Sequence, residues 1–221
     1  MTPLPKPRAV LLDWDNTLVD TWPCIGKAAN ITLQAMGQQP WTDAEIRERV
    51  AGSLRDTFPK IYGDRWEEAR EIFYRAFEQV HLEMLTVLPG AEAFLKVALQ
   101  RNVYLGVVSN KTGKYLRAEA DHLGWTPWFG KIVGAQDAAR DKPALEPVHL
   151  SLAGSGIEIG ADVWFVGDAA IDMECGAAAG CTTVLVQAAD YDSAHRPQRH
   201  VPDCRALLEA FEHAWAEWGL S

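Results

Sequence analysis

The sequence predicts an α/β fold in which a central parallel sheet is interrupted, after its first strand, by an all-helical domain. Short apolar segments alternate with helical patterns over the second half of the chain, which is typical of a parallel sheet covered by helices on both faces. No convincing strand pattern occurs between Val19 and Val87. We therefore assign residues 1–19 and 89–221 to a three-layer, Rossmann-like core and residues 20–88 to a helical domain.

The core strands are predicted from short apolar runs. Ala9–Leu12 is unbroken, as expected for a strand that is buried on both faces. The other predicted strands are Val103–Val108, Lys131–Val133, Val163–Val166 and Thr182–Val186. Helices are predicted at Ala91–Gln100, from the second strand to about Leu123, and at Pro143–Ala153, Ile171–Ala179 and Arg205–Trp215.

The inserted domain has helical patterns only. Thr21–Met36 has an apolar face and is followed by Gly37, a common helix stop. Thr42 and Glu45 have the spacing of a capping box that begins a helix ending near Val50. Residues 64–85 carry apolar side chains at steps of three and four, which predicts a long amphipathic helix with a solvated charged face.

Composition and charge restrict the possible partners. The 221 residues carry a formal net charge of −9 and contain no run rich in Lys or Arg, which argues against nucleic acid or an anionic membrane as a partner. No apolar run approaches the roughly 20 residues of a membrane span, and the first residues lack an apolar signal segment. The four cysteines form no CxxC pair. We expect reduced thiols in a cytoplasmic protein that is a monomer or a homodimer.

Polar residues that could take part in catalysis or bind a metal follow three of the predicted strands or precede a helix. Because the carboxyl ends of parallel strands form the usual ligand-binding edge of such a sheet, we expect these side chains to lie close together. Two carboxylates at the exit of a buried strand need a cation or a shared proton. The candidates are Asp13 and Asp15 after the first strand, Ser109 and Asn110 after the second, Lys142 before a helix, and Asp168 and Asp172 after the fourth.

Each candidate also has a purely structural interpretation. Asp13 and Asp15 are ordinary residues for a turn that closes a strand. Ser109 and Asp168 are ordinary helix caps. Lys142 taken alone is most simply an exposed lysine.

The order of these motifs resembles that of the haloacid dehalogenase superfamily. Asp13-Trp14-Asp15-Asn16-Thr17 resembles its first motif, Asp-x-Asp-x-Thr, and the later Ser, Lys and Gly-Asp motifs are matched in order by Ser109, Lys142 and Gly167-Asp168 with Asp172. The resemblance covers nearly the whole chain. The helical insertion, which is a cap domain in that family, and the return at Leu88-Pro89-Gly90-Ala91 are similar to the phosphoglycolate phosphatase-like branch.

The resemblance implies a Mg²⁺-dependent phosphatase that acts on a small phosphomonoester, with phosphoglycolate as the named candidate. Asp13 would attack phosphorus and form an aspartyl-phosphate, and Asp15 would act as general acid and then general base. Ser109 and Lys142 would bind the phosphoryl oxygens. The implied metal set is Asp13, Asp15 (through its backbone carbonyl), Asp168 and Asp172, the last orienting either metal-bound waters or the lysine.

Charge supports a hard cation at this site. If Asp13, Asp168 and Asp172 are ionised and Asp15 is protonated, one lysine leaves an excess of negative charge that would repel a phosphate dianion. Oxygen ligands beside a phosphate favour Mg²⁺. The sequence contains no His/Cys cluster suited to zinc.

Substrate contacts are predicted both in the core and in the inserted helical domain. In the core, the backbone of Trp14 would meet a phosphoryl oxygen, and Thr17 would shape the loop. In the helical domain, Arg55 would pair with a substrate carboxylate or second phosphate, although a surface arginine is the simpler interpretation of the sequence. The predicted substrate-binding residues are Trp14, Thr17, Ser109, Asn110, Lys142, Gly52, Ser53 and Arg55.

Three alternatives remain open at this stage. A phosphomutase of the β-phosphoglucomutase type would use the same core, and a non-catalytic phosphate-binding regulatory protein would keep the fold without turnover. Dehalogenase chemistry is disfavoured because such relatives lack a carboxylate at the position of Asp15. Lys111 is a rival to Lys142 as the phosphate-binding lysine, because the second proline of the usual Lys-Pro-x-Pro pattern is shifted to Pro147.

Overall fold

The structure, a computed structural model, describes residues 4–50, 54–186 and 194–217. The chain divides into two compact units. The core unit contains the chain up to Asp20 and from Val87 onward, and the helical unit contains Thr21–Thr86.

The strands and helices follow one another in the order expected for an interrupted α/β chain. The strands are β1 (Ala9–Leu12), β2 (Val19–Asp20), β3 (Thr86–Val87), β4 (Tyr104–Thr112), β5 (Lys131–Ala135), β6 (Val163–Gly167), β7 (Thr182–Val186) and β8 (Arg199–Val201). The α-helices are α1 (Trp22–Ala35), α2 (Asp43–Arg49), α3 (Leu54–Tyr62), α4 (Trp66–Val80), α5 (Ala91–Gln100), α6 (Gly113–His122), α7 (Glu146–Leu152), α8 (Ala170–Ala179) and α9 (Cys204–Glu217).

A six-stranded parallel sheet forms the centre of the core unit. Its strand order is β5-β4-β1-β6-β7-β8, so β1 has a neighbour on each side. Leu12, the last residue of β1, is level with Val107 of β4 and Val166 of β6. Every side chain of β1 is buried, as its apolar run predicts. The residue after Leu12 therefore emerges at the middle of the carboxyl edge of the sheet.

Helices cover both faces of this sheet. Successive residues of a strand point to opposite faces, and the neighbours Trp164 and Phe165 of β6 have different surroundings. Trp164 lies edge-on to Phe211 of α9, with ring centroids 6.0 Å apart, whereas Phe165 belongs to a buried cluster with Cys175 of α8. The three-layer α/β fold predicted from the sequence is confirmed.

The helical unit is built around the apolar faces of α1 and α4. Phe73 and Phe77 are buried on one face of α4, at the spacing that places them on successive turns. Phe58 of α3 lies edge-on to Phe73, with ring centroids 5.5 Å apart. The predicted capping box at the start of α2 is confirmed, since Thr42 and Glu45 exchange backbone-to-side-chain hydrogen bonds of 2.9 and 3.3 Å.

Several element boundaries differ from the prediction. The helix expected at Pro143 begins only at Glu146, because Pro147 occupies its first turn. The long helix expected over residues 64–85 is only Trp66–Val80, preceded by a 3₁₀ turn. β4 continues past Val108 to Thr112, with a register shift against β5.

The sequence analysis did not predict the two-residue strands β2 and β3, the helix α3 or the strand β8. Pro59 lies inside α3, where a proline normally argues against a helix. β8 begins with the polar pair Arg199-His200, which lacks the apolar signature of a strand. None of the helices in the part of the chain that the structure describes has both the length and the apolarity that a membrane span requires.

Candidate active site

The loop after β1 places the first two aspartates at the sheet edge. The backbone N–H of Asp13 donates to the Val166 carbonyl of β6 at 2.8 Å, so the end of β1 is fixed to its neighbour. The chain then turns sharply, with the N–H of Leu18 donating to the Trp14 carbonyl at 3.0 Å. Asn16 has a φ of 57°, a conformation that asparagine tolerates better than most residues.

Lys142 joins two of the predicted carboxylates. Its ammonium group donates to Asp13 Oδ1 at 2.7 Å and to Asp172 Oδ1 at 2.6 Å. The lysine side chain is 2% exposed, so these contacts are shielded from water. Charge-assisted contacts of this kind are strongest where water is excluded.

Asn110 holds the backbone of this lysine. Its amide nitrogen donates to the Lys142 carbonyl at 3.0 Å, and the Lys142 N–H donates to its Oδ1 at 3.0 Å. Asn110 was predicted to contact the substrate. That contact stays a prediction, while the structure gives its amide a positioning contact with the lysine loop.

Asp168, which follows β6, and Asp172, in the first turn of α8, complete the cluster of carboxylates. The Ala169 N–H donates to Asp172 Oδ2 at 3.1 Å, so both oxygens of this side chain are engaged. The hydroxyl of Thr17 lies 3.4 Å from Asp168 Oδ1, which links the β1 loop to the β6 loop. A Cβ added at Gly167 would lie 2.3 Å from Asp172 Cγ, so the close approach requires glycine.

The carboxylates of Asp13, Asp168 and Asp172 fit a hard divalent cation. One carboxylate oxygen from each of the three residues lies within 4.8 Å of those from the other two. Burial raises the pKa of Asp13 to about 6, with Lys142 opposing the rise and Asp172 adding to it. Burial also raises the pKa of Asp168 to about 8, and Asp13 and Asp172 add to that rise. Both rises reflect burial and like-charged neighbours, and a divalent cation with a preference for oxygen ligands would offset both and favour the ionised carboxylates.

Neighbouring charges affect the pKa of Lys142 more than burial does. Burial lowers the pKa of Lys142, but the charges of Asp13 and Asp172 outweigh burial and raise it above its ordinary value. The ammonium form is therefore retained in a nearly dry position.

Asp15 has a different partner. Its Oδ1 accepts from the ammonium group of Lys111 at 2.8 Å, and the same ammonium lies 2.8 Å from Glu119 Oε1. Lys111 thus contacts Asp15, while Lys142 contacts Asp13. This geometry favours Lys142 over its rival as the lysine beside the predicted nucleophile.

Ser109 and Trp14 occupy less open positions than their predicted substrate contacts suggest. Ser109 is buried in β4, and its Oγ accepts from the Lys111 N–H at 3.2 Å. The Trp14 ring is fully buried, and its indole N–H donates to Glu119 Oε2 at 2.7 Å. A substrate contact of either residue stays a prediction.

The predicted substrate residues of the helical unit cannot be compared in the same way. Gly52 and Ser53 lie outside the described residues. Arg55 belongs to α3, but its side chain also lies outside the described part of the chain.

Glu119 is not among the site residues that were predicted from the sequence. It lies on α6 three residues after Leu116 and one before Ala120, both of which are buried. A glutamate on the apolar stripe of an amphipathic helix was the available signal, because that position faces the core. Because glutamate is common on exposed helix faces, this spacing does not by itself distinguish a buried glutamate from an exposed one.

The chain resembles known proteins along most of its length. The family model described as haloacid dehalogenase-like hydrolase matches residues 10–186. A phosphoglycolate phosphatase of Rhodospirillum rubrum is 31% identical over 192 residues, which cover 81% of this chain and 79% of that protein. A phosphoglycolate phosphatase of Chromobacterium violaceum is 27% identical over 188 residues, covering 81% and 84%.

Two solved structures are also similar to this chain. A HAD-superfamily hydrolase of Ehrlichia chaffeensis is 25% identical, with a TM-score of 0.68 over 96% of this chain and 99% of its own. A haloacid dehalogenase-like family hydrolase of Streptococcus pneumoniae has a TM-score of 0.81 at 19% identity, over 93% and 99%, which is a likeness of fold. The match of the family model to most of the chain confirms the resemblance inferred from the motifs: this chain belongs to the haloacid dehalogenase-like hydrolase family.

Proposed function

We propose that this hydrolase is a Mg²⁺-dependent phosphatase that cleaves a small phosphomonoester through an aspartyl-phosphate at Asp13. The observation that carries the proposal is the contact of the Lys142 ammonium group with Asp13, beside the carboxylates of Asp168 and Asp172. A nucleophile next to a buried cation suits attack on an anionic phosphoryl group. The curated relatives named phosphoglycolate phosphatase support this reaction class and make phosphoglycolate the first substrate to test.

The metal would be held by Asp13, Asp168 and the backbone carbonyl of Asp15, with Asp172 orienting Lys142. When bound, Mg²⁺ supplies positive charge to the phosphoryl oxygens and keeps the Asp13 carboxylate ionised. Without that charge, the pKa of Asp13 is about 6 and that of Asp168 about 8, because both groups are buried among like charges.

The chain's own residues account for both halves of the reaction. A carboxylate oxygen of Asp13 bonds to phosphorus as the bond to the leaving oxygen breaks, and the proton on Asp15 moves to that oxygen. Asp15 then takes a proton from a water molecule whose oxygen attacks the aspartyl-phosphate. Inorganic phosphate leaves, Asp13 is regenerated, and Asp15 again carries its proton.

Phosphate release with and without the metal tests this proposal. We would measure inorganic phosphate from a series of phosphomonoesters that includes phosphoglycolate, in Mg²⁺ and in EDTA, for the wild type and for Asp13→Asn. The matched control is Asp121→Asn, which alters an exposed carboxylate on α6.

The expected result is Mg²⁺-dependent turnover that Asp13→Asn lowers by at least about 1,000-fold, since the attacking group is lost, and that Asp121→Asn leaves unchanged. Phosphate release that persists in folded Asp13→Asn would contradict the covalent route. No release by the wild type from any ester would contradict the phosphatase itself.

A further inference from the structure

We propose that Lys111 and Glu119 act as positioning residues for Asp15, holding its carboxylate at the active-site edge through a closed loop of buried contacts. The inference rests on the proposed function, because it assumes that Asp15 transfers a proton to the leaving group. It concerns residues to which the motifs of the family assign no such role in this chain.

The three side chains in these contacts differ in exposure, from the partly exposed Asp15 to the fully buried Glu119. The Asp15 side chain is 28% exposed, Lys111 is 7% exposed and Glu119 is 0% exposed. The ammonium group of Lys111 lies 2.8 Å from an oxygen of each carboxylate. Of the three side chains, Asp15 is therefore the one most able to meet a substrate.

Trp14 closes the loop. Its indole N–H donates to the second oxygen of Glu119 at 2.7 Å, and its backbone is bonded directly to that of Asp15. The Trp14 ring lies edge-on to Trp125 and Phe129, with centroids 5.9 and 6.4 Å away. The path from Asp15 through Lys111 and Glu119 thus returns to the residue before Asp15, anchored by rigid aromatic packing.

Stability alone is a poor explanation for these charges. Burying a carboxylate and an ammonium group carries a large desolvation cost, and well-packed apolar residues of similar volume usually serve stability as well or better. The arrangement does have one clear geometric effect. It fixes the Lys111 ammonium, and with it the Asp15 carboxylate, by satisfying both oxygens of Glu119 inside the core.

The test separates positioning of a proton donor from a general loss of activity. An alkoxide leaving group needs a proton, whereas 4-nitrophenolate leaves readily without one. We would measure kcat/KM, which reports the steps up to the first irreversible one, for a series of alkyl and aryl phosphates with Mg²⁺ present. The variants are Lys111→Met and the charge-neutral pair Lys111→Met/Glu119→Gln.

These variants keep the neighbouring contacts. Methionine at residue 111 retains the backbone N–H that donates to Ser109 Oγ. Glutamine at residue 119 retains an acceptor for Trp14, and in the double variant no unpaired charge is buried, which protects the fold. Lys96→Met is the matched control, because Lys96 forms an exposed ion pair with Glu92.

We expect both variants to lose about 100-fold in kcat/KM for alkyl phosphates and only a few-fold for 4-nitrophenyl phosphate. Lys111→Arg should restore part of the alkyl activity, and Lys96→Met should change neither substrate class. Equal losses for alkyl and aryl substrates, or full activity of a folded double variant, would overturn the positioning role. A wild type that releases no phosphate would instead overturn the proposed function, and this inference with it.

Discussion

The ammonium group of Lys142 and the carboxylate of Asp13 lie 2.7 Å apart, although 129 positions separate the two residues in sequence. The same ammonium contacts Asp172, so one lysine joins the residue after β1 to the first turn of α8. Three features of the fold produce this contact: the central place of β1, the loop before α7, and the hydrogen bonds of Asn110 to the lysine backbone.

Removing this ammonium group should reduce both activity and stability. We expect Lys142→Met to lower kcat/KM for phosphate esters by about 100-fold or more, because a fixed positive charge beside the phosphoryl group is lost. The free energy of unfolding should fall by about 3 kcal/mol, since buried carboxylates lose their partner. Steady-state kinetics and urea unfolding measure the two effects.

The control for this prediction is again the exposed lysine of α5. Lys96→Met should change the free energy of unfolding by less than about 0.5 kcal/mol. A Lys142→Met enzyme with wild-type kinetics would rule out a role for this lysine in phosphate binding.

Binding of Mg²⁺ should stabilise the protein in the absence of substrate. At a concentration 100 times Kd, a ligand specific to the folded state adds about 2.7 kcal/mol, which for a chain of this size raises Tm by roughly 5 °C or more. Asp168→Asn should abolish the shift, because it removes one of three clustered carboxylates. Scanning calorimetry in Mg²⁺ and in EDTA provides the measurement, and Asp121→Asn should shift as the wild type does.

Gly167→Ala should displace Asp172. The new Cβ would lie 2.3 Å from Asp172 Cγ and 2.4 Å from its Cβ, which forces the α8 side chain away from Lys142. We expect a loss of about 1–3 kcal/mol in the free energy of unfolding and a fall of at least about 10-fold in kcat/KM.

Gly26→Ala is a matched comparison for that change. Gly26 lies within α1, and an added Cβ would meet nothing closer than Ile46 Cγ2 at 4.0 Å. Here we expect stabilisation by about 0.5–1 kcal/mol, because alanine restricts the unfolded chain and favours the helix. A Gly167→Ala enzyme as stable and active as wild type would contradict the close approach at β6.

The native protein should resist thiol reagents. Cys24, Cys175, Cys181 and Cys204 are buried and form no disulfide with one another, and burial raises the pKa of Cys181 and Cys204 to about 12. Thiolates are the reactive form, so we expect little reaction with Ellman's reagent until a denaturant is added, when four thiols should react. Gln100→Cys, at an exposed position of α5, should add one fast-reacting thiol. Rapid reaction of a wild-type thiol would show that its surroundings open readily.

Five of the six strands of the central sheet, all but β8, could be predicted from the sequence because each contains a short apolar run. Thr182–Val186 agrees with β7 at both ends, and all of its residues are buried. Polar residues at the ends of such runs predicted the gathering of Asp13 and Asp168, since parallel strands present their carboxyl ends at one edge. Local patterns were sufficient here because burial selects the residues along the whole element.

The missed features depend on contacts that are distant in sequence. The pairing of Lys111 with Glu119 depends on α6 packing beside β4, and nothing local distinguishes a buried glutamate from an exposed one. β8 is held by backbone pairing with β7, which requires no apolar residue at Arg199 or His200. The late start of α7 reflects Pro147, which suits a first turn as well as Pro143 does.

The central position of β1 has a consequence for how the protein is made. The ribosome releases β1 first, yet both strands that pair with it, β4 and β6, are synthesised much later. The nascent chain must therefore carry β1 without a partner until β4 has emerged, and with one edge unpaired until β6 ends at residue 167. Such non-local closure slows folding and exposes an apolar segment to aggregation. Thr21–Thr86, a contiguous unit, is complete long before that point. The order of synthesis thus delays assembly of the surroundings of Asp13 until most of the chain exists.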